Sequence, residues 1–500
     1  MIEKIKKAGP YPSVYIEADR IFVEAIGVNM AMCMNESFFG LAGKSEGLEP
    51  VIIQGKHVRK HSELFKAFGF GLIETANSNL SVWDYVSALM WTIKKTISIK
   101  NTEELLKLDY QGIHIGELVF SSYIYRHMTG TIKKIKPDIS IEIFKCCMNY
   151  KYFTKLVAKH KPRFAVVTNN TYVDCGMLFK ILLKNGVPAY VNVWPAFNKV
   201  SIKKYEKDQD NRDLCVVNPT AAEWKNISES MRGEWVEYGK KWIAKRVKGE
   251  DSAFGGADAA VGKPWLEKDK VVESLGIDKT KKTGLICAHV MWDDPLIYSS
   301  IFKDYYWWWV ETAKIINEIE HINWILKAHP GEMDTLGRKT FQKPIRSLDA
   351  LKDIKFKPHV KLLDSGLTYN NYSLTQVVDF VVTLRGTVGL EYSCLGIPVI
   401  TAGTGPYSIC GFASVAKSVE EYKKALSNAH LLDRLEESKR NEASVFAYYY
   451  LSGATSIAVQ GTLEDFDITK LKDSFYNDFR NDSAWKTIMS NMKKNMDCRS

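Results

Sequence analysis

An α/β architecture with mainly parallel sheets, laid out in two halves, is what this sequence predicts, and three observations carry it. Short apolar runs bounded by turn residues recur between stretches of helical periodicity. In the later half the links are short, so that strand, helix and next strand follow one another as βαβ units. The chain has 500 residues, 46% hydrophobic and 25% charged, an ordinary globular composition with length for two or three domains, each with its own core.

In the first half, Pro50 to Ile53 and Phe164 to Thr168 have the pattern of buried strands. The second is followed by a helix over Gly176 to Asn185 and by a strand over Ala189 to Val193. From Ile202 to about Lys263 the chain turns polar and helical, and Gly255, Gly256 and Gly262 mark a passage into the second half. There the elements are cleaner. Gly284 to His289 is a strand, Asp304 to Glu320 a helix, Asn323 to Ala328 a strand and Val377 to Leu384 another. Val388 to Leu395 is a short helix stopped by Gly396, and Pro398 to Thr401 opens a further strand. From about Glu436 onward the pattern is helical. The expected arrangement is two Rossmann-like domains facing a central cleft, over residues 1–265 and 266–435, with helices of residues 436–500 packing back on the first.

The formal charge of +10 is a modest excess for this length, and the lysines are scattered rather than gathered into one stripe, so nucleic acid is not an expected partner. Basic clusters stand at Lys4, Lys6 and Lys7, at Lys94 and Lys95, and at Lys240, Lys241, Lys245 and Arg246. A solvated surface is the plain explanation, and contact with an anionic membrane face the sharper one. The nine cysteines lack zinc-type spacing and suit a reduced compartment. Met1 to Arg20 has no signal-peptide core, and the most apolar short stretch, Val82 to Ile93, contains Asp84 and is too short to span a bilayer. The expectation is a cytoplasmic protein, peripheral on the inner membrane face if the basic clusters serve that purpose. Walker loops, nucleophile elbows and the Gly-x-Gly-x-x-Gly fingerprint do not occur. Asp208-Gln209-Asp210 and Asp465-Phe466-Asp467 match a metal-binding Asp-x-Asp pattern but fall in strongly charged stretches, so no metal is expected.

Three segments carry chemistry in the second half. Leu384-Arg385-Gly386-Thr387-Val388-Gly389-Leu390-Glu391 lies between a buried strand and a short helix. Such a turn leaves backbone N–H groups unpaired at a helix N-terminus, and Thr387 adds a hydroxyl, which makes an anion site. Glu391, about one turn on, is suited to a ribose. Lys327-Ala328-His329-Pro330 ends a strand, where open α/β sheets bind ligands, and His329 is expected to meet a phosphate, in its charged form if need be. Cys287-Ala288-His289-Val290-Met291-Trp292-Asp293-Asp294 also follows a strand. His289 is a further phosphate candidate, and Asp293 and Asp294 are sugar candidates. Tyr407, after Gly403-Thr404-Gly405-Pro406, is the ring available to stack on a base or sugar, with loop anchoring as its plainer role.

The succession of strand-His-Pro, strand-Arg-Gly-Thr-x-Gly-x-Glu and Gly396-Ile397-Pro398-Val399-Ile400 resembles the C-terminal half of bacterial capsule polysaccharide biosynthesis proteins, including their Kdo transferases. Similar His-Pro and Ser/Thr elements occur in bacterial CMP-sialic acid transferases. The likeness covers roughly residues 284–410. It implies a GT-B fold without a metal or other cofactor, and nucleotide contact by His329, Thr387 and Glu391. Gly386-Thr387 stands where other members carry Ser-Ser or Gly-Ser, which keeps the hydroxyl and leaves the base open. Gly112 to Leu118, with Tyr123 and Arg126 beyond it, is similar to a stretch of the same proteins.

The implied activity is glycosyl transfer from a CMP-, UDP- or GDP-linked sugar to a polysaccharide or glycolipid acceptor, inverting at the sugar. The first half would serve the acceptor, and Glu117, Asp174 and His114 are the candidates to take its proton. A non-hydrolysing sugar-nucleotide 2-epimerase, a CDP-polyol phosphotransferase and a non-catalytic glycan-assembly subunit are the alternatives.

Overall fold

The computed structural model describes residues 2–7, 19–26, 30–55, 59–196, 199–207, 221–230, 232–250, 260–294, 300–335, 344–452, 456–458 and 481–497, with a few single positions. Both Asp-x-Asp stretches, and Gly255 and Gly256 of the expected passage, lie outside the described residues. The chain divides into two compact units. The first comprises residues 1–123, 133–212 and 455–500, and the second residues 124–132 and 213–454.

The first unit is built on a mixed sheet. Its strands are β1 (Arg20–Ala25), β2 (Glu49–Gln54), β3 (Leu72–Thr75), β6 (Phe164–Val167), β7 (Ala189–Ala196) and β8 (Lys199–Tyr205), while β4 (Asp109–Tyr110) and β5 (Ile113–His114) form a separate two-residue ribbon. Strands β7, β6, β1, β2 and β3 run parallel, and β8 turns back antiparallel on β7. Ile21, Phe22, Val23, Ile52, Ala165 and Val166 are wholly buried because helices cover both faces, which is why such strands have no polar alternation.

The second unit holds a purely parallel sheet of β9 (Thr283–Cys287), β10 (Asn323–Lys327), β11 (Val360–Leu363), β12 (Phe380–Thr383), β13 (Val399–Thr401) and β14 (Ala413–Val415), in the order β11-β10-β9-β12-β13-β14. The chain steps outward from β9 through β10 to β11, then crosses β9 to continue from β12 in the opposite direction. That reversal creates a crevice at the carboxyl ends of β9, β10 and β12.

Two differences from the sequence expectation stand out. Residues 213–265, expected in the first half, belong to the second unit, because helix Arg232–Lys248 packs along helix Glu437–Ser452. An added Cβ on Gly239 would lie 2.3 Å from the Ser444 carbonyl oxygen, so the two backbones cross closely there. The rings of Trp235 and Tyr448 meet nearby at 4.4 Å. The tail, expected as one helical segment, divides. Glu437–Ser452 stays with the second unit, whereas β15 (Ser456–Ala458) adds antiparallel to β8 and helix Ser483–Asp497 packs on helix Met30–Ser45. Trp485 fixes that return, 5.2 Å from the Phe39 ring and 6.2 Å from Phe38. The run Tyr305 to Trp309 opens helix Tyr305–Asn317, and its buried indoles donate to Tyr422 Oη and to Ser347 O.

Candidate functional site

The reversal point of the second sheet holds an open cavity with about 680 Å³ of empty space, its mouth included. Each wall comes from the end of a strand. His289 follows β9 by two residues, Lys327 closes β10 with His329 two residues on, and β12 ends at Thr383 before the chain enters helix Thr387–Cys394. Of the expected nucleotide or phosphate residues, His289, Lys327, His329, Gly386, Thr387 and Glu391 line this cavity together.

The start of helix Thr387–Cys394 is uncapped. Gly386 occupies the N-cap position in extended conformation, and no side chain caps the helix. Outside the first turn the donors are engaged: Gly386 N donates to Thr383 Oγ1 at 3.2 Å, and Arg385 N to His289 Nε2 at 3.4 Å. Thr387 and Val388, whose amides lie in the first turn and so have no intrahelical acceptor, both line the cavity, and Thr387 carries a hydroxyl. A Cβ on Gly386 would press on Thr383 Oγ1 at 3.0 Å, so the turn needs glycine for closeness and not for an unusual φ.

Lys327 supplies the charge. It is buried, its ammonium donates to Ala328 O at 3.2 Å, and it forms no ion pair with any described residue. Burial pushes its pKa below the ordinary lysine value. A desolvated ammonium without a counter-ion is costly, and an anion entering the cavity would relieve that cost.

The two histidines are neutral donors rather than cations. His329 Nδ1 accepts from Gly331 N at 3.0 Å, which leaves the proton on Nε2, and burial next to Lys327 lowers its pKa to about 4. The charged form that the sequence allowed is therefore not the resting form. The His289 ring stacks on Tyr305 at 4.4 Å, and burial, with His329 and Arg385 nearby, holds its pKa well below the ordinary histidine value. Because Nε2 accepts from Arg385 N, the tautomer inferred for His289 carries its proton on Nδ1.

Other expected residues fall elsewhere. Glu391 lines the cavity, yet both its oxygens are held: Oε1 by Arg246 Nη2 at 3.1 Å and Oε2 by Tyr372 Oη at 2.9 Å. Its first role is thus to anchor the helix rather than to wait for a ribose. Arg385 does not border the cavity; its guanidinium pairs with Asp294 at 3.0 Å and bonds Tyr305 Oη at 3.0 Å. Asp294 is committed to that pair at a φ of 47°, and neither it nor the exposed Asp293 lines the cavity. Tyr407 is no stacking platform. Its ring is buried on Phe412 at 5.5 Å, and its hydroxyl donates to Gly386 O at 2.9 Å from inside the core.

His114, Glu117 and Asp174 belong to the first unit. Glu117 is buried in an ion pair with buried Lys180 at 2.5 Å, with His114 Nε2 4.0 Å away. Asp174 is exposed in the first turn of helix Val173–Lys184, at 3.4 Å from Asn149 Nδ2.

Sequence reasoning missed Arg246, Tyr372 and Thr383. Arg246 was hidden in a basic cluster, although it follows Trp242 by four residues, and the two share a face with the ring 5.8 Å from the guanidinium. It also missed Glu24, the last but one residue of β1, where the first sheet reverses direction. That buried carboxylate accepts from Ile26 N and from Thr168 N (3.0 Å) and Oγ1 (2.5 Å), and burial raises its pKa. Among the described residues, no group of three His, Cys, Asp or Glu side chains is placed to hold a metal ion.

No protein-family model and no curated protein sequence matches the chain. Among solved structures it is similar to the β-Kdo 2,4-transferase of Thermosulfurimonas dismutans KpsC, at 12% identity over 62% of this chain and 87% of that one, with a TM-score of 0.37. It is also similar to S. aureus MnaA in complex with UDP, at 13% identity over 86% and 92% and a TM-score of 0.30. UDP-GlcNAc 2-epimerase of Neisseria meningitidis bound to UDP-GlcNAc matches at 10% identity over 87% and 100%, with a TM-score of 0.26. Kdo transferases of capsule biosynthesis, the group that the motifs resemble, are thus among the structures matched. Likeness at this level says nothing about substrate, which has to be argued from the site.

Proposed function

We propose that this chain is a glycosyltransferase that binds the phosphate end of a nucleotide-sugar in the second unit and passes the sugar to a polysaccharide or glycolipid acceptor. The observation that carries this reading is the buried ammonium of Lys327, without an ion pair among the described residues, in a cavity also lined by Thr387 and Val388 of the uncapped helix start. A cation, helix-terminal amides, a hydroxyl and two neutral imidazole N–H groups suit a leaving phosphate whose charge grows as the glycosidic bond breaks. In the proposed step the acceptor oxygen bonds to the anomeric carbon, the carbon–phosphate oxygen bond breaks, and a carboxylate takes the hydroxyl proton. Asp174 is the exposed carboxylate among the expected bases and is the one retained. The positive potential comes from the protein itself, so the proposal involves no metal or other cofactor.

The test is thermal denaturation of the full chain with CMP, CDP, UDP or GDP, since a ligand of the folded state raises its apparent stability. One nucleotide should raise Tm clearly, and Lys327→Met or His329→Ala should remove the shift. No response to any of the four would overturn the reading. Incubation with UDP-GlcNAc alone separates the epimerase alternative, because only an epimerase forms product without an acceptor.

A further inference from the structure

Helix Val82–Ser98 of the first unit turns an apolar face outward. Trp83 is 77% exposed, Met90 68% and Ile97 78%, with Val82, Val86 and Ile93 on the same arc. At 100° per residue these six positions cover about a third of the helix circumference. The opposite side, through Ala88 and Thr92, is buried on helix Ser140–His160, where Thr92 Oγ1 meets Cys147 Sγ at 4.0 Å. The helix is therefore anchored by one side and leaves the other bare. A reciprocal capping box between Ser81 and Asp84 fixes its start.

Charge decides what suits this face. The helix has one acidic side chain, Asp84, and it is directed at the neighbouring helix, where Lys155 (2.6 Å) and Lys151 (3.8 Å) hold it. The outward arc is left without a negative charge and is flanked by exposed Lys94, while Lys95 lies over the Trp91 ring at 5.7 Å and exposed Lys100 follows the helix end. No described helix is long and apolar enough to cross a membrane. This one has 17 residues and a length of about 25 Å, so it can lie in a bilayer's surface with its apolar side chains down and its lysines at the phosphates. A second copy of the chain would set the same acid-free face against Lys94 and leave that charge unmatched. We propose that the outward face of helix Val82–Ser98 docks the protein on an anionic lipid surface.

The experiment is co-sedimentation of the full chain with vesicles of phosphatidylcholine alone or mixed with phosphatidylglycerol. Two variants are compared with the wild type: Trp83→Ser/Met90→Ser/Ile97→Ser, at positions too exposed to carry the core, and Lys94→Glu. The wild type should sediment with the anionic vesicles. The triple variant should bind at least tenfold more weakly, and Lys94→Glu should lose most of the preference for anionic over neutral lipid. An unchanged circular dichroism spectrum and unchanged nucleotide response would show that the variants are folded. Equal sedimentation of wild type and triple variant on both vesicles overturns the proposal. So does a wild-type dimer that the triple variant converts to monomer while neither binds lipid, because the face would then belong to a second copy.

Discussion

Gly389 and Tyr407 stand so close that a Cβ on the glycine would lie 2.0 Å from the phenol oxygen. That oxygen is the one that donates to Gly386 O, so a buried ring supports the glycine turn from below. The missing side chain at position 389 is thus what lets the turn rest on its support. Gly389→Ala should cost about 1–3 kcal/mol through overpacking and should reduce the nucleotide-induced Tm shift as the turn moves. Tyr407→Phe in that background should relieve the strain only in part, since the ring carbon Cζ would still be 2.7 Å away. Urea unfolding of the three proteins checks the order.

Arg246 and Glu391 form a buried pair completed by Tyr372. Arg246→Ala leaves a carboxylate desolvated without its cation and should cost about 3–5 kcal/mol, whereas Tyr372→Phe, which removes one hydrogen bond to a charged group, should cost about 1.5–3 kcal/mol. Arg246→Met with Glu391→Met should recover most of the loss, because no unpaired charge remains. If denaturant midpoints show the double variant as weak as Arg246→Ala, the pair is not what holds the helix.

His329 at the cavity makes stability depend on pH. His329 titrates near 4 in the folded chain against an ordinary 6.5, so the unfolded chain takes the proton first. Its contribution is whole above pH 6.5 and is lost as pH falls towards 4. Buried Asp304, raised to about 6, acts with the opposite sign over part of that range, so the comparison has to be with a variant. His329→Gln should lose less stability than the wild type between about pH 7 and pH 4.5, by about 1–2 kcal/mol with allowance for partial exposure. Parallel curves of unfolding free energy against pH would refute the assignment.

The carboxylates of the first unit should separate into two classes. Glu117→Ala breaks the buried ion pair with Lys180 and should cost about 3–5 kcal/mol of stability, so any loss of activity would follow loss of fold. Asp174→Asn changes an exposed residue and should leave Tm nearly unchanged. If Asp174 is the base, that variant should bind nucleotide as before and lose transfer by at least 100-fold, and full transfer activity would remove Asp174 from the mechanism.

Strands β9, β10, β12 and β13 of the second sheet were legible because they are buried and mostly apolar, with functional residues at their ends, whereas the edge strands β11 and β14, only partly buried, were not read. Six nucleotide-site expectations converge on one cavity for that reason: the side chains follow strand ends, and strand ends at an order reversal must meet. Arg385, Asp294 and Tyr407 were not separable by the same logic, since a strand-end residue can turn toward the ligand, toward a counter-charge or into the core. β1 escaped notice because Arg20 and Glu24 punctuate a six-residue run, and β15 because three residues carry no periodicity.

What the sequence determined by itself was the α/β layering, the positions of the strand ends and the glycine turn, all of which follow from local periodicity and backbone freedom. What only the tertiary structure decided was partnership. Arg246 reaches Glu391 across 145 residues of chain, Lys327 pairs with no acid among the described residues, and His329 gives up its charge. The reason is physical: hydrogen bonding and desolvation depend on which groups are brought within about 3 Å of one another, and spacing along the chain does not contain that distance.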